Sequence, residues 1–312
     1  MKAYKLSFIY FVFLFTTGII AGCNQSSTPN STNNKPKPKV SFKKVHGIAF
    51  TEVRRQYNNG LGYNIYGYHL EPEWQITFLS DDSVRIFSVV LQKFIVEPVI
   101  IDHDSVATVA HSWLRVKKLT RDSMVFQALY VQNQKIDSAS NIYMTLYSND
   151  YIKNKLHTTA AALQIAPQRD TLYINQKTKE SIADYNKAFA ATQPAVLKSN
   201  NPNVKIEKKQ VTKAVAMEDV TLADNYLSPT FTVTINKAYT NFDYYMQVIV
   251  DEKGKLHFAK AMTHILDDEE NRLKVMKGIV DGYLTAYLNI TPGKTLGIPH
   301  ASRILLRVKG IE

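Results

Sequence analysis

Trp74-Gln75-Ile76-Thr77-Phe78, then Asp81-Asp82-Ser83, then Val84-Arg85-Ile86-Phe87-Ser88 is the stretch from which the fold class follows. Trp74, Ile76 and Phe78 fall on one face of an extended chain, and so do Val84, Ile86 and, after Ser88, Val90. Successive side chains of a strand point to opposite faces, so period-two alternation predicts half-buried strands. Working outward, the pattern recurs in Val106, Thr108 and Ala110, in Met124, Phe126, Ala128 and Tyr130, and in Ile142, Met144 and Leu146. The breaks share a theme: Asp82-Ser83-Val84, Asp104-Ser105-Val106, Asp122-Ser123-Met124, Asp137-Ser138-Ala139 and Asp170-Thr171-Leu172. Asp and Ser side chains bond nearby backbone groups and favour turns that lead into strands. The first four copies lie roughly 15 to 22 residues apart, which suits consecutive hairpins. Residues 45–165 therefore read as an antiparallel β meander, either a barrel or a sandwich.

Before the meander, Lys2 and Lys5 precede an almost unbroken apolar run, residues 6–21, too short to span a bilayer comfortably. It fits a secretory signal ending in small residues at a cut site. Ile20-Ala21-Gly22-Cys23 resembles the lipobox of bacterial lipoproteins, which implies a signal peptide over residues 1–22 and lipid on Cys23. Several acyl chains on one cysteine hold a protein at a membrane essentially permanently, whereas one chain binds only reversibly. Cys23 is the only cysteine, so neither an intramolecular disulfide nor a thiolate metal cluster can form.

The formal charge of +11 suggests a nucleic-acid binder until it is located. Lys2, Lys5, Lys35, Lys37, Lys39, Lys43 and Lys44 occur before any acid, leaving +4 for the rest of the chain. Export also separates the protein from nucleic acid, so no nucleic-acid partner is expected. The run from Asn24 to Lys39 is Asn, Ser, Thr, Pro and Lys without a large apolar residue, so residues 23–44 read as a flexible tether. Asn24 and the acid-free run after it resemble neither the aspartate-type inner-membrane retention signal nor acidic surface-export signals. That implies the outer membrane, periplasmic face.

Beyond the meander, residues 166–225 read as a connecting region, with a helix over 178–190 capped by Thr178, then a linker at Pro194 and Asn200-Asn201-Pro202-Asn203. The Lys-rich run over 205–213 reads as a solvated strand or more linker. Residues 226–312 read as a small αβ domain, giving an α+β chain overall. Tyr245 to Val250 is an apolar strand, Asp251-Glu252-Lys253-Gly254 a turn, and Leu256 and Phe258 share a face of the next strand. A helix follows, with Asp267 and Glu270 as a capping pair and an apolar stripe of Leu273, Met276, Ile279, Val280, Tyr283, Leu284 and Tyr287. Pro292-Gly293-Lys294, Gly297-Ile298-Pro299 and the strand Ile304-Leu305-Leu306-Arg307-Val308 end the chain.

This strand, turn, strand, helix and strand order resembles the TonB C-terminal domain over residues 244–310. Its quotable parts are Val248-Ile249-Val250-Asp251-Glu252-Lys253-Gly254-Lys255, Pro292-Gly293-Lys294 and Gly297-Ile298-Pro299. Aromatic residues that the family often carries before that proline are replaced by Leu288-Asn289-Ile290-Thr291. The resemblance implies a module that pairs an exposed edge strand with an extended peptide, and Ile304, Leu305, Leu306, Arg307 and Val308 are the expected edge.

Enzyme and cofactor signatures are missing. No His-Glu-x-x-His, no Gly-x-Ser-x-Gly and no cysteine nucleophile occurs. Gly60-Leu61-Gly62 lacks the third Gly of a dinucleotide fingerprint, and Gly293-Lys294-Thr295 lacks the Gly of a phosphate loop because Leu288 stands there. Tyr63, Tyr66, Tyr68 and His69 read as a sheet face, with a pocket lining as the alternative. Asp102-His103-Asp104 is compact but falls where a hairpin turn is expected. The five Asp-Ser/Thr tripeptides also resemble a bacterial O-glycosylation site, and hairpin turns account for them equally. No catalytic residue, metal or cofactor is expected. The function expected is an envelope lipoprotein that binds a protein or peptide; the alternative is a carrier holding a small apolar or sugar ligand in the β domain.

Overall fold

In the computed structural model the alternating runs close into one antiparallel barrel. The structure describes residues 39–133, 135–211, 223–262 and 268–312. The signal segment, Cys23, the tether up to residue 38, Lys213, His264 and Asp267 lie outside the described residues.

The barrel strands are β1 (Ala49–Tyr57), β2 (Gln75–Phe78), β3 (Ser83–Ser88), β4 (Lys93–His103), β5 (Val106–Val109), β6 (Ser112–Leu119), β7 (Ser123–Ala128) and β8 (Ile142–Ser148). Each pairs with the next, and β8 returns to β1 with Phe50 opposite Ser148 and Tyr57 opposite Ile142. Closure removes the edges that a sandwich would keep. Eight strands enclose a space that side chains alone can fill. Phe50, Ile76, Phe78, Val84, Leu114, Met124, Phe126 and Leu146 fill it as part of one buried cluster. One mouth is plugged by a 3-10 turn (Lys43–Val45), where Phe42 stacks on Phe78 at 3.9 Å and both Phe42 and Val45 are fully buried. Residues 42–45 thus belong to the barrel, although their lysines read as the end of the tether.

Toward the other mouth, β1 carries a bulge between Glu52 and Arg54. In a regular strand, residues three apart face opposite ways. The extra residue, Val53, puts Glu52 and Arg55 on the same inner face, opposite Leu146 and Met144. There they form a two-pronged ion pair at 2.8 and 2.6 Å, and Glu52 also accepts from the amides of Glu73 and Trp74 at 3.0 and 3.1 Å. Arg54 turns outward and meets Asp170 at 2.8 Å.

The Asp-Ser theme is a set of turns at its first four copies: Ser83 and Ser123 begin β3 and β7, Asp104-Ser105 joins β4 to β5, and Asp137-Ser138-Ala139 is a turn. The fifth copy is different. Asp170 and Thr171 lie in the first turns of helix α1 (Gln168–Ala183). Pro167 starts that helix, and Asp170 sits fully buried at its positive end, accepting from Arg54 and from the Gly62 amide. The helix therefore starts ten residues before the expected Thr178 and stops at Ala183, with a 3-10 turn over Tyr185–Lys187. Thr178 does not cap it: its hydroxyl is buried in the helix without a hydrogen-bond partner.

The expected linker is ordered. β9 (Val196–Ser199) pairs with β14 (Leu288–Thr291), and Ala191, Ala195 and Leu197 are buried. Asn200 to Asn203 is the turn into the next strand, β10 (Val204–Lys209). β11 (Thr230–Asn236), β12 (Phe242–Val250), β13 (Leu256–Ala261) and β15 (Ser302–Ile311) complete a five-stranded sheet in the order β10, β11, β15, β12, β13. Helix α2 (Glu269–Gly278) runs into a π-helical segment (Ile279–Leu284) and packs Met276, Val280 and Leu284 on one sheet face, as the apolar stripe predicts. The Asp251 turn is as expected, and Gly254 is required there: its φ is +84°, and a Cβ would lie 2.2 Å from the Ile290 carbonyl oxygen.

Candidate functional site

The five-stranded sheet offers one face and two edges. Phe231, Val233, Met246, Val248, Ile304, Leu306 and Val308 point into the core under α2. The alternate residues therefore make the second face: Thr230, Thr232 and Thr234 on β11, Arg303, Leu305, Arg307 and Lys309 on β15, and Asp243, Tyr245 and Gln247 on β12. One end of it is covered by the segment after α1, where Arg303 donates to the Asn186 carbonyl and Ala188 packs with Ile249. The other end is an open groove of about 560 Å³ lined by Lys209, Thr230, Thr232, Asp243, Tyr245 and Arg307. Arg307 clamps Asp243 with contacts of 2.7 to 3.1 Å. The Arg307 hydrogen bond holds the Asp243 carboxyl below its ordinary pKa, so the pair stays charged.

The expected edge, Ile304 to Val308, is not an edge. β15 is the central strand, parallel to β11 on one side and antiparallel to β12 on the other. Its ladder groups are used on both sides, and no further strand can pair with it. The reading failed because it began at residue 244 and left out β10 and β11, which extend the sheet past β15.

The true edges differ. On β13, the Phe258 amide is taken by the Asp281 carboxylate at 3.1 Å, from the π-helical segment. On β10, Asn203 accepts from Asn236 at 2.8 Å, so Lys205, Glu207 and Lys209 are the residues bonded to β11. Ile206 and Lys208 then turn their backbone groups outward, away from β11. Lys205 and Glu207 form an exposed pair at 2.6 Å.

Other constellations are structural. His300 is fully buried on the Phe189 ring at 3.7 Å. Its Nδ1 donates to the Ala301 carbonyl at 3.0 Å and its Nε2 accepts from the Thr295 hydroxyl at 2.9 Å. Burial pushes its pKa down to about 4, so it is neutral. Asp251 accepts from the Lys253 and Lys255 amides and lies 2.9 Å from His257 Nε2. Burial opposes its ionisation, but these bonds outweigh it and hold the carboxyl below its ordinary pKa. Tyr63 is buried and stacks on His69 at 4.4 Å, and Ala190 donates to the Tyr66 carbonyl at 2.9 Å, so this loop packs against the segment after α1. Asp102 and His103 pair at 2.6 Å in the exposed turn end of β4. Among the described residues no group of three or more His, Cys, Asp or Glu is placed to hold a metal.

Comparison with the known protein families matched none of them, and comparison with curated proteins likewise gave no match. The site therefore rests on geometry. Sequence reasoning found β12, β13 and α2 but missed the β10 edge, for which the signal was the alternation of Val204 and Ile206 with Lys205, Glu207 and Lys209. It also missed Glu52 and Asp170, which only the Arg54-Arg55 doublet inside an alternating strand could have suggested.

Proposed function

We propose that the chain is a cell-envelope lipoprotein, held by lipid on Cys23 at the periplasmic face of the outer membrane, that binds a protein or peptide partner without catalysis. The partner adds a strand to the C-terminal sheet at β10. The observation that carries this is the asymmetry of the edges: Asp281 closes β13, while Ile206 and Lys208 keep outward backbone groups on β10. The order β12, β13, α2, β15 supports the likeness to the TonB C-terminal domain, with β10 in place of the last strand as the receiving edge. The filled barrel counts against the carrier alternative, since one apolar cluster occupies its interior.

Register supplies the test. The Ile206 amide points away from β11, so Ile206→Pro removes an outward donor and leaves the internal ladder intact. Affinity capture from native membranes is expected to lose its specific partner with Ile206→Pro and keep it with Ile206→Ala, both variants having the circular dichroism of the parent. Equal capture by the proline variant would remove β10 as the binding edge.

A further inference from the structure

We infer that the outer wall of the barrel at β3 and β4 is a second contact surface, one that rests on the lipid bilayer itself. The inward residues of β4 are Ile95, Val99 and Ile101, packed with the core, and Glu97, which meets His111 at 2.9 Å. Its outward residues should then be polar, as on any sheet that faces water. They are Phe94, Val96, Pro98 and Ile100, with Phe94 50%, Val96 61% and Ile100 61% exposed. An outer strand face with four consecutive apolar positions is one meant to be covered, yet nothing in the described chain covers this one. Leu91, 56% exposed at the tip of the β3–β4 hairpin, and Trp113 on β6, in line with Ile100 across Thr108, add to this apolar wall.

The charges around it select the occupant. Arg85 lies over the Phe94 ring at 5.4 Å, and Lys93 begins the strand. The outward acid of β4, Asp102, stands at its opposite end. Cations beside exposed aromatic and aliphatic groups match an anionic headgroup layer over hydrocarbon. A barrel wall is convex and offers no cleft for a peptide. This surface builds on the proposed lipid anchor, which would hold the chain at a bilayer through Cys23, 16 residues before Lys39. A weak second contact gains from that tethering, because it becomes intramolecular.

The test uses the chain without residues 1–22 and with Cys23→Ser, so that no acyl group contributes. Vesicles of equal parts phosphatidylethanolamine and phosphatidylglycerol are expected to sediment it, and brominated acyl chains to quench emission that Trp113→Phe removes. Phe94→Ser with Ile100→Ser should weaken binding at least about tenfold. Arg85→Gln with Lys93→Gln should reduce its dependence on salt, the tether lysines keeping the remainder. Absence of vesicle binding, or binding unchanged in the Phe94/Ile100 variant, would overturn the proposal. So would a dimer in sedimentation equilibrium that the same variant dissociates, since the wall would then be a contact between copies. Failure of the anchor itself would show independently, as loss of acyl labelling at Cys23 in cells.

Discussion

Replacing Glu52 should cost the barrel more than any other single polar change, and the structure gives the size of the loss. Its carboxylate is fully buried and accepts four hydrogen bonds, two from Arg55 and two from backbone amides. Glu52→Leu leaves the Arg55 guanidinium, whose side chain is 19% exposed, without its anion. Breaking a buried pair from one side costs about 3–5 kcal/mol. Arg55→Met should cost about 3 kcal/mol, the carboxylate keeping only its two amides. The double variant removes both charges together, so its loss should fall about 2 kcal/mol or more short of the sum of the two. Urea unfolding followed by tryptophan emission is the assay. Trp74 and Trp113 are the only tryptophans and both belong to the barrel, and the Trp74 amide is itself bonded to Glu52. A loss of 4 kcal/mol is a large share of the roughly 5–15 kcal/mol that stabilises a domain, so unfolding is best measured in sucrose. If Glu52→Leu costs under about 1 kcal/mol, or if the two single losses simply add, the ion pair does not hold that end of the barrel.

Three further outcomes are expected. His300 is depressed to about 4 from 6.5, so its contribution is complete above pH 6.5 and is lost as the pH falls toward 4. His300→Gln should remove about 3 kcal/mol of the stability lost between pH 6.5 and 4, read from urea midpoints across the range. Labelled palmitate should enter the parent protein and not Cys23→Ser; label retained in the mutant would refute the anchor. Because barrel and sheet have separate apolar clusters, tryptophan emission, which reports the barrel, should give a urea midpoint distinct from that of far-ultraviolet circular dichroism. Coincident transitions would show a single cooperative unit.

Much of the barrel was legible because its inner residues alternate over most of each strand and several of its turns carry Asp-Ser pairs, and both signals are local. Closure was not legible, since the pairing of β8 with β1 joins residues about 100 positions apart in sequence. Helix α1 was misplaced for a related reason. Asp170-Thr171-Leu172 reads as another turn until Arg54 and the Gly62 amide, more than 100 residues earlier, are known to meet the carboxylate. The apolar stripe of α2 was plain from Met276, Val280 and Leu284, whose spacing alone sets a buried face. Sheet order was the least legible feature. A parallel pairing such as β11 with β15 leaves no hairpin signature, so nothing near Ile304 announces that its edge is taken.

The treatment of edges ties these observations together. An open strand edge invites uncontrolled pairing, and folded proteins close or charge such edges. The barrel has no edge at all, and β13 spends a carboxylate, Asp281, on an amide that a new strand would otherwise use. On β10 the chain takes the milder course. Lys205, Lys208 and Lys209 discourage apolar strands by charge, and the backbone groups of Ile206 and Lys208 face outward with no side-chain cap among the described residues. A side-chain cap excludes every incoming strand, whereas lysines exclude most and admit those whose side chains answer the charge. A fold that only needed protection could have used the cap twice; among the described residues it is used once, and the proposed pairing at β10 rests on that contrast.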